Sequence, residues 1–348
     1  MKLSLGAILL ALLAAPSLAR PSEVPTRAIF DEGMYWASSP SEVFWTLRRV
    51  KRAGFNTYIP CVWHGQGATW RSKVAPVWDR NPDVAARDAL ATFITAAHKE
   101  GIKVFPCFTL ALRQREFLRE FTSESRPEGV FNIQNEAFRR FATDLVLEVV
   151  KNYDIDGINL DYVRAGQVCY DTTCRQQYSD TQGRNLMLDL AVHKVNNVAF
   201  DSIVAWQRRA VRDLIAGIST EARKIRPGLV ISVDAAPWAE SVLIEGQDSL
   251  AWADEGLVDT VMSMNYSPVI DWSLLRGLQD KMKRPEQLLI MVGNYDGEAP
   301  AKPISRSGTA LLNLVDEAAA FHPNGSFAVY IYSLLTDEQI MKLATRKN

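Results

Sequence analysis

Tyr153-Asp154-Ile155-Asp156-Gly157-Ile158-Asn159-Leu160-Asp161-Tyr162-Val163-Arg164 is the stretch on which the fold turns. Gly157 to Asp161 reads as a short strand with alternating side chains. Ile158 and Leu160 share one face, and Gly157, Asn159 and Asp161 share the other. Ahead of it, Glu136–Lys151 carries Phe138, Leu145, Leu147 and Val149 at helical spacing, behind Asn135, a residue type that starts helices. A helix thus delivers the chain to a strand that ends in a polar residue.

The same grammar continues outward. Strands are expected at Arg27–Phe30, Thr57–Val62, Lys103–Phe108, Leu229–Asp234, Thr260–Asn265, Leu288–Gly293 and Phe327–Tyr332. Helices are expected at Ser41–Ala53, Val84–Glu100, Ser202–Ile225, Trp272–Met282, Gly308–Phe321 and Thr336–Thr345. Alternating strands and helices imply parallel strands joined by crossovers. About eight such units match an α/β fold closed as a single (β/α)8 TIM barrel better than an open sheet. The fifth unit is the weakest, because Trp238–Glu255 offers only a short helix. The longest connection, Tyr162 to Phe200, contains Cys169 and Cys174. No linker or composition shift divides residues 20–348, so one domain is expected.

Composition narrows the function. The 348 residues are 47% hydrophobic and 23% charged, which excludes wholesale disorder. Lys and Arg number 39 against 40 Asp and Glu, without a polybasic block, so no nucleic-acid partner is expected. With 4 His and 4 Cys, and no His at ligand spacing from either cysteine pair, no metal site is expected.

Residues 1–19 read as a signal peptide: Lys2, an apolar run from Leu3 to Ala15, and the small-x-small ending Ser17-Leu18-Ala19. The run is shorter than the roughly 20 residues that span a bilayer, and no membrane span is expected after cleavage. A periplasmic or secreted location follows, in an oxidising compartment where disulfides persist. Cys169 and Cys174 lie close enough to close a small loop. Cys61 and Cys107 each end an apolar run; they form a second bridge if their strands are neighbours, or remain buried thiols.

In such a barrel, reactive groups stand at the C-terminal strand ends and in the loops that follow. That rule selects Asp31 and Glu32, His64, Asp161 and Arg164, Asp234 and Glu240, Asn265 and Tyr266, and Asn294, Tyr295 and Asp296. Asp161, on the interior face with Asn159, reads as a catalytic carboxylate, and Arg164 is near enough in sequence to pair with it. Asp234 ends the fifth strand and ranks above Glu240 as the second carboxylate, because strand ends are held more rigidly than loops. Asp259 precedes its strand and reads as structural. Trp36, Trp63, Trp70, Tyr162, Trp238, Tyr266 and Tyr295 all follow strands, and this clustering points to aromatic platforms of a carbohydrate cleft. His64, Asn159, Arg164 and Asn265 would supply polar contacts there.

The quoted stretch resembles the Asp-Gly-x-x-x-Asp-Tyr-x-Arg signature of the "family 10 glycosylhydrolase" group. These are exported bacterial TIM barrels related to the barrel domain of poly-N-acetylglucosamine hydrolases. Ala53-Gly54-Phe55-Asn56-Thr57 with Gly67 and Ser72 resembles the family's second strand and loop. Gln247-Asp248, Trp252, Gly256-Leu257-Val258-Asp259 and Met264-Asn265-Tyr266 resemble its sixth-strand block. The resemblance covers most of Arg27–Leu335. It implies hydrolysis of O-glycosyl bonds in a bacterial polysaccharide or oligosaccharide, an amino-sugar polymer among the candidates, without a cofactor. Asp161 resembles the nucleophile position of the α-amylase superfamily, although Asn159 replaces the Arg usual there. A chitinase pattern would need Glu where Val163 stands. Two other readings stay open: a non-catalytic carbohydrate-binding barrel, and a hydrolase for ester or amide bonds, for which no Gly-x-Ser-x-Gly elbow is present.

Overall fold

The computed structural model describes residues 24–123, 129–195, 201–296 and 303–346. Its barrel strands are β1 (Arg27–Asp31), β2 (Thr57–Trp63), β3 (two pieces, Lys103–Val104 and Cys107–Thr109), β4 (Gly157–Asp161), β5 (Val230–Ala235), β6 (Thr260–Asn265), β7 (Leu288–Gly293) and β8 (Phe327–Tyr330). Each strand pairs in parallel with the next, and β1 pairs with both β2 and β8, so the sheet closes on itself. This is the (β/α)8 barrel that the alternation of elements predicts. The expected signal peptide lies outside the described residues. Among the described residues no helix is long and apolar enough to cross a membrane.

The helices are α1 (Pro40–Arg52), α2 (Pro82–Ala86), α3 (Ala89–Lys99), α4 (Glu136–Asn152), α5 (Thr172–Gln182), α6 (Leu186–Val195), α7 (Asp201–Ile225), α8 (Ala239–Glu245), α9 (Ser249–Asp254), α10 (Trp272–Gln279), α11 (Gly308–Phe321) and α12 (Asp337–Leu343). Local chemistry fixes their starts. The Ser39 hydroxyl accepts from Glu42 N while Glu42 accepts from Ser39 N, and Pro40 occupies the first turn of α1. Asn135 caps α4 by accepting from Ala137 N at 2.9 Å.

Three of the differences from the expected boundaries have a clear local reason. The helix expected at Val84–Glu100 is two, because Asp88 adopts φ 50° and caps α3 by accepting from Ala91 N. The third strand is interrupted around Pro106, which has no N–H for the ladder. The eighth stops at Tyr330, where the chain turns into a short 3-10 segment, Tyr332–Leu334.

Side chains sort into two main layers. The lumen holds Phe30, Ile59, Phe105, Met262 and Met291 among others, and a larger apolar layer lies between the barrel and its helices. A third, small core stands apart in the connection after β4, where α5 and α6 fold around Cys174, Tyr178 and Leu190 against Ile203 and Trp206 of α7. The Cys169–Cys174 disulfide, with Cα atoms 5.9 Å apart, closes this insertion. Cys61 and Cys107 need a correction. Their strands are neighbours and the two residues are in register, yet both are free, buried thiols. Side by side on parallel strands, both side chains point into the lumen, where they share a hydrogen bond instead of a covalent one.

Candidate active site

The site grows from the alternation of β4. Gly157, Asn159 and Asp161 face the lumen, and Asp161 comes out at its C-terminal mouth. Register brings in the second carboxylate. Asn159 pairs with Ser232 and Leu160 with Val233, so one residue further on Asp161 stands beside Asp234 of β5. Both line a cleft of about 350 Å3 at the C-terminal end of the barrel.

The two acids sit in different environments. Asp234 is 1% exposed and accepts a hydrogen bond from Asn159 Nδ2 at 3.0 Å. Burial, followed by the adjacent Asp161 charge, pushes its carboxyl well above the ordinary carboxylate range. Asp161 accepts from Tyr162 N at 2.6 Å. Burial and the charge of Glu32 raise it to about 6, against the opposing pull of that backbone N–H, Arg164 and His64. Of the two carboxyls, Asp234 is thus driven the more strongly towards its protonated form.

The surroundings partly follow the sequence reading. Tyr162, Arg164, Trp238 and Tyr266 line the cleft. Arg164 does not pair with Asp161. Its guanidinium lies 4.0 Å over the Tyr162 ring and meets Glu245 of α8 at 3.4 Å, tying the loop after β4 to the loop after β5. Asn159 sits below the cleft, donating to Ser232 Oγ as well as to Asp234. Tyr295 lies behind the wall, 6.2 Å from Tyr266. Buried Arg306 holds both tyrosines through their carbonyls, at 2.7 and 2.8 Å. His64 is half-buried at the end of β2 and hydrogen-bonded to Cys61, and the Cys61, Glu32 and Asp161 charges outweigh its burial and raise it to about 9. Glu240 falls in the first turn of α8, and its side chain lies outside the described part of the structure.

Three expected contacts are corrected. Trp36 is fully buried, with its indole N–H on the Cys61 carbonyl and its ring edge-on to Phe93, so it is core rather than platform. Trp63 is also core. A register shift between Cys61 and Trp63 interrupts the alternation of β2 and turns Trp63 outward against Phe117 and Phe141. Asn265 alternates with the inward-facing Met264 and Tyr266, and bonds back to Ser263. Trp70, another of the aromatic candidates, is buried with its N–H on Glu148. Asp31 is structural, accepting from Gly33 N, Trp36 N and the Tyr58 hydroxyl.

Two polar cleft residues were not assigned a role from the sequence, Glu32 and Tyr330, although the strand-end rule singles out Glu32. They hydrogen-bond to each other, and the Tyr330 ring stacks on Tyr266 at 4.6 Å. Strand alternation was the available signal. Ala28 and Phe30 point into the lumen, which aims Glu32 the same way, and Ala328 does this for Tyr330.

Known proteins share this architecture. The glycoside hydrolase domain of PgaB (BpsB) from Bordetella bronchiseptica superimposes with a TM-score of 0.70, covering 92% of this chain and 98% of that one at 10% identity. The catalytic domain of a β-amylase from Paenibacillus polymyxa gives 0.61 over 90% and 94%, also at 10% identity. These likenesses concern the fold. In sequence, glycosyl hydrolase DigH of Escherichia coli (strain K12) is 25% identical over 270 residues, 64% of this chain and 57% of that protein. The match therefore spans little more than half of the relative's length. The family model "Glycosyl hydrolase-like 10" matches residues 41–286, from α1 to just before β7 and including both cleft aspartates. With the barrel closed and the acids at its C-terminal mouth, the chain belongs to the glycosyl hydrolase-like 10 family.

Proposed function

We propose that this protein is an exported glycoside hydrolase that cleaves a bacterial polysaccharide, amino-sugar polymers first, with Asp234 as proton donor and Asp161 as its ionised partner. The observation that carries this reading is a pair of buried carboxyls on adjacent strand ends, of which Asp234 is pushed the more strongly towards its protonated form. Glycoside hydrolysis needs one group to protonate the leaving oxygen and one to meet the cationic sugar. Asp234 gives its proton to the glycosidic oxygen as the C–O bond breaks, while the Asp161 carboxylate bonds to the anomeric carbon. Asp234, now ionised, takes a proton from water, whose oxygen attacks that carbon and releases Asp161. Glu32, Arg164 and the Tyr266–Tyr330 stack surround the sugar with polar groups and ring faces. The names of DigH and the PgaB domain support the hydrolase class, and the apolar N-terminal run with the disulfide supports export.

Purified protein is incubated with a panel of bacterial polysaccharides, including de-N-acetylated ones, and new reducing ends are counted. Release by the parent and a loss of about a thousandfold or more in Asp161→Asn, with polymer binding kept, is expected. Polymer binding without product from any member favours the non-catalytic carbohydrate-binding barrel.

A further inference from the structure

The loops after β2 and β3 enclose a second recess, of about 310 Å3. Both loops leave C-terminal strand ends, so the recess is on the same end of the barrel as the cleft. By strand order it occupies the sector between β1, which brings Glu32, and β4, which brings Asp161. Its walls combine Trp78 and Phe117 with Gln66, Gln114, Asp79 and Arg115. Trp78 and Phe117 are partly exposed. The side chains of Gln66, Gln114 and Asp79 and the Trp78 indole N–H have no protein partner among the described residues.

The recess is built rather than incidental. Gly65 and Gly67 take φ of 65° and 129°, and a Cβ there would stand 1.9 Å from the Leu112 carbonyl oxygen and 2.5 Å from Trp78 Cα. Gly65 therefore locks the loop after β2 onto the loop after β3, and Gly67 closes the β2 loop on itself, at contacts only glycine permits. Backbone bonds from Gln114 N to the Gly65 carbonyl and from Trp78 N to the Ala68 carbonyl, both 2.9 Å, fix the walls. Buried Arg113 clamps the turn beneath Phe117 through that residue's carbonyl at 2.7 Å. A preformed recess gives up little ordering entropy on binding. Flat aromatic faces beside free amides suit a pyranose, whose C–H face packs on rings while its hydroxyls meet amides. His64, whose Nε2 is buried without a partner, precedes Gly65 in the chain and links this loop to the carboxylates.

We propose that this recess, centred on Trp78, Phe117, Gln66 and Gln114, is an outlying saccharide subsite that grips the polymer away from the cleaved bond. It takes neutral or amino sugars: Asp79 on the rim offers a carboxylate to hydroxyls or an ammonium, while Glu116 is already met by Arg113 at 3.3 Å. The proposal rests on the hydrolase reading and adds a length preference to it.

Titration calorimetry tests it with Asp161→Asn protein and two probe series, N-acetylglucosamine oligomers and their de-N-acetylated counterparts, from dimer to hexamer. Hexamer binding about tenfold or more tighter than dimer binding is expected, with that advantage lost in Trp78→Ala and Gln114→Ala and kept in Trp78→Phe. Melting curves confirm that each variant is folded. Equal hexamer affinity in parent and Trp78→Ala, or no binding of either series, overturns the subsite. Failure of the two readings is distinguishable. Polysaccharide cleavage that is indifferent to Trp78 removes the subsite alone. Trp78-dependent binding without cleavage of any polysaccharide keeps the subsite and removes the hydrolase.

Discussion

Asp161 and Asp234 are the same residue type in one cleft, and only their surroundings separate them. Asp234 lines the cleft almost fully buried, with one amide donor and a charged neighbour, whereas Asp161 keeps a backbone N–H and two cationic groups within its field. Activity should therefore rise with pH through about 6 as Asp161 ionises, and fall at higher pH as Asp234 loses its proton. Asp234→Asn should flatten the alkaline limb and lose far less rate on substrates whose leaving group needs no proton; a profile identical to the parent's would exclude Asp234 as donor. Stability moves the opposite way from activity. The folded protein holds Asp161's proton more tightly than the unfolded chain, whose value is near 3.8, so stability is lost as pH rises towards about 6. Asp161→Asn should raise Tm at pH 7 by roughly 2–5 °C and leave it unchanged near pH 3.5, as calorimetry can measure.

Register between elements would set the geometry of the proposed hydrolysis. Neighbouring parallel strands lie about 4.8 Å apart, close to the 5–5.5 Å carboxyl separation of retaining glycosidases and short of the 6.5–9.5 Å of inverting ones. Proton NMR of the first product formed should show the starting anomeric configuration; the opposite anomer would mean that water attacks directly. A second element-scale consequence concerns the insertion after β4. Its α5 is mostly polar and its core small, so the Cys169–Cys174 bridge carries much of its order. Replacing both cysteines with Ala should destabilise the insertion by about 2 kcal/mol. Hydrogen exchange should speed up across α5 and α6 while the barrel strands remain protected.

At the scale of the molecule, closure holds the site together. The cleft draws on β1, β4, β5, β6 and β8, so no contiguous fragment contains it. β1 bonds to β2 on one side and β8 on the other, and its removal would leave two open edges ready to pair with other chains. A chain lacking residues up to Asp31 should show no cooperative thermal transition and should aggregate, as calorimetry and light scattering would reveal.

Much of this was legible in the sequence, for identifiable reasons. Hydrophobic period is local, so β4, β6 and β7 fall where alternation and apolar runs place them, and the strand-end rule picks out Asp161 and Asp234 without coordinates. Glu32 and Tyr330 obey the same alternation, and the strand-end rule picks out Glu32, but a place beside the acids comes to them only once the ring has closed and brought the first and last strands beside the fourth and fifth. Polar α5 and largely apolar α6 show no clear apolar stripe to announce them, and a disulfide and a small local core support them. Trp36, Trp63 and Asn265 follow strands as cleft residues should, yet a buried indole bond, a register shift in β2 and a side chain on the outer face of β6 send them elsewhere. The sequence by itself determined the alternating elements, the barrel class and the acids at strand ends, all consequences of periodicity along the chain. Only the tertiary structure decided which side chains converge, because facing, register and closure depend on contacts between residues far apart in sequence.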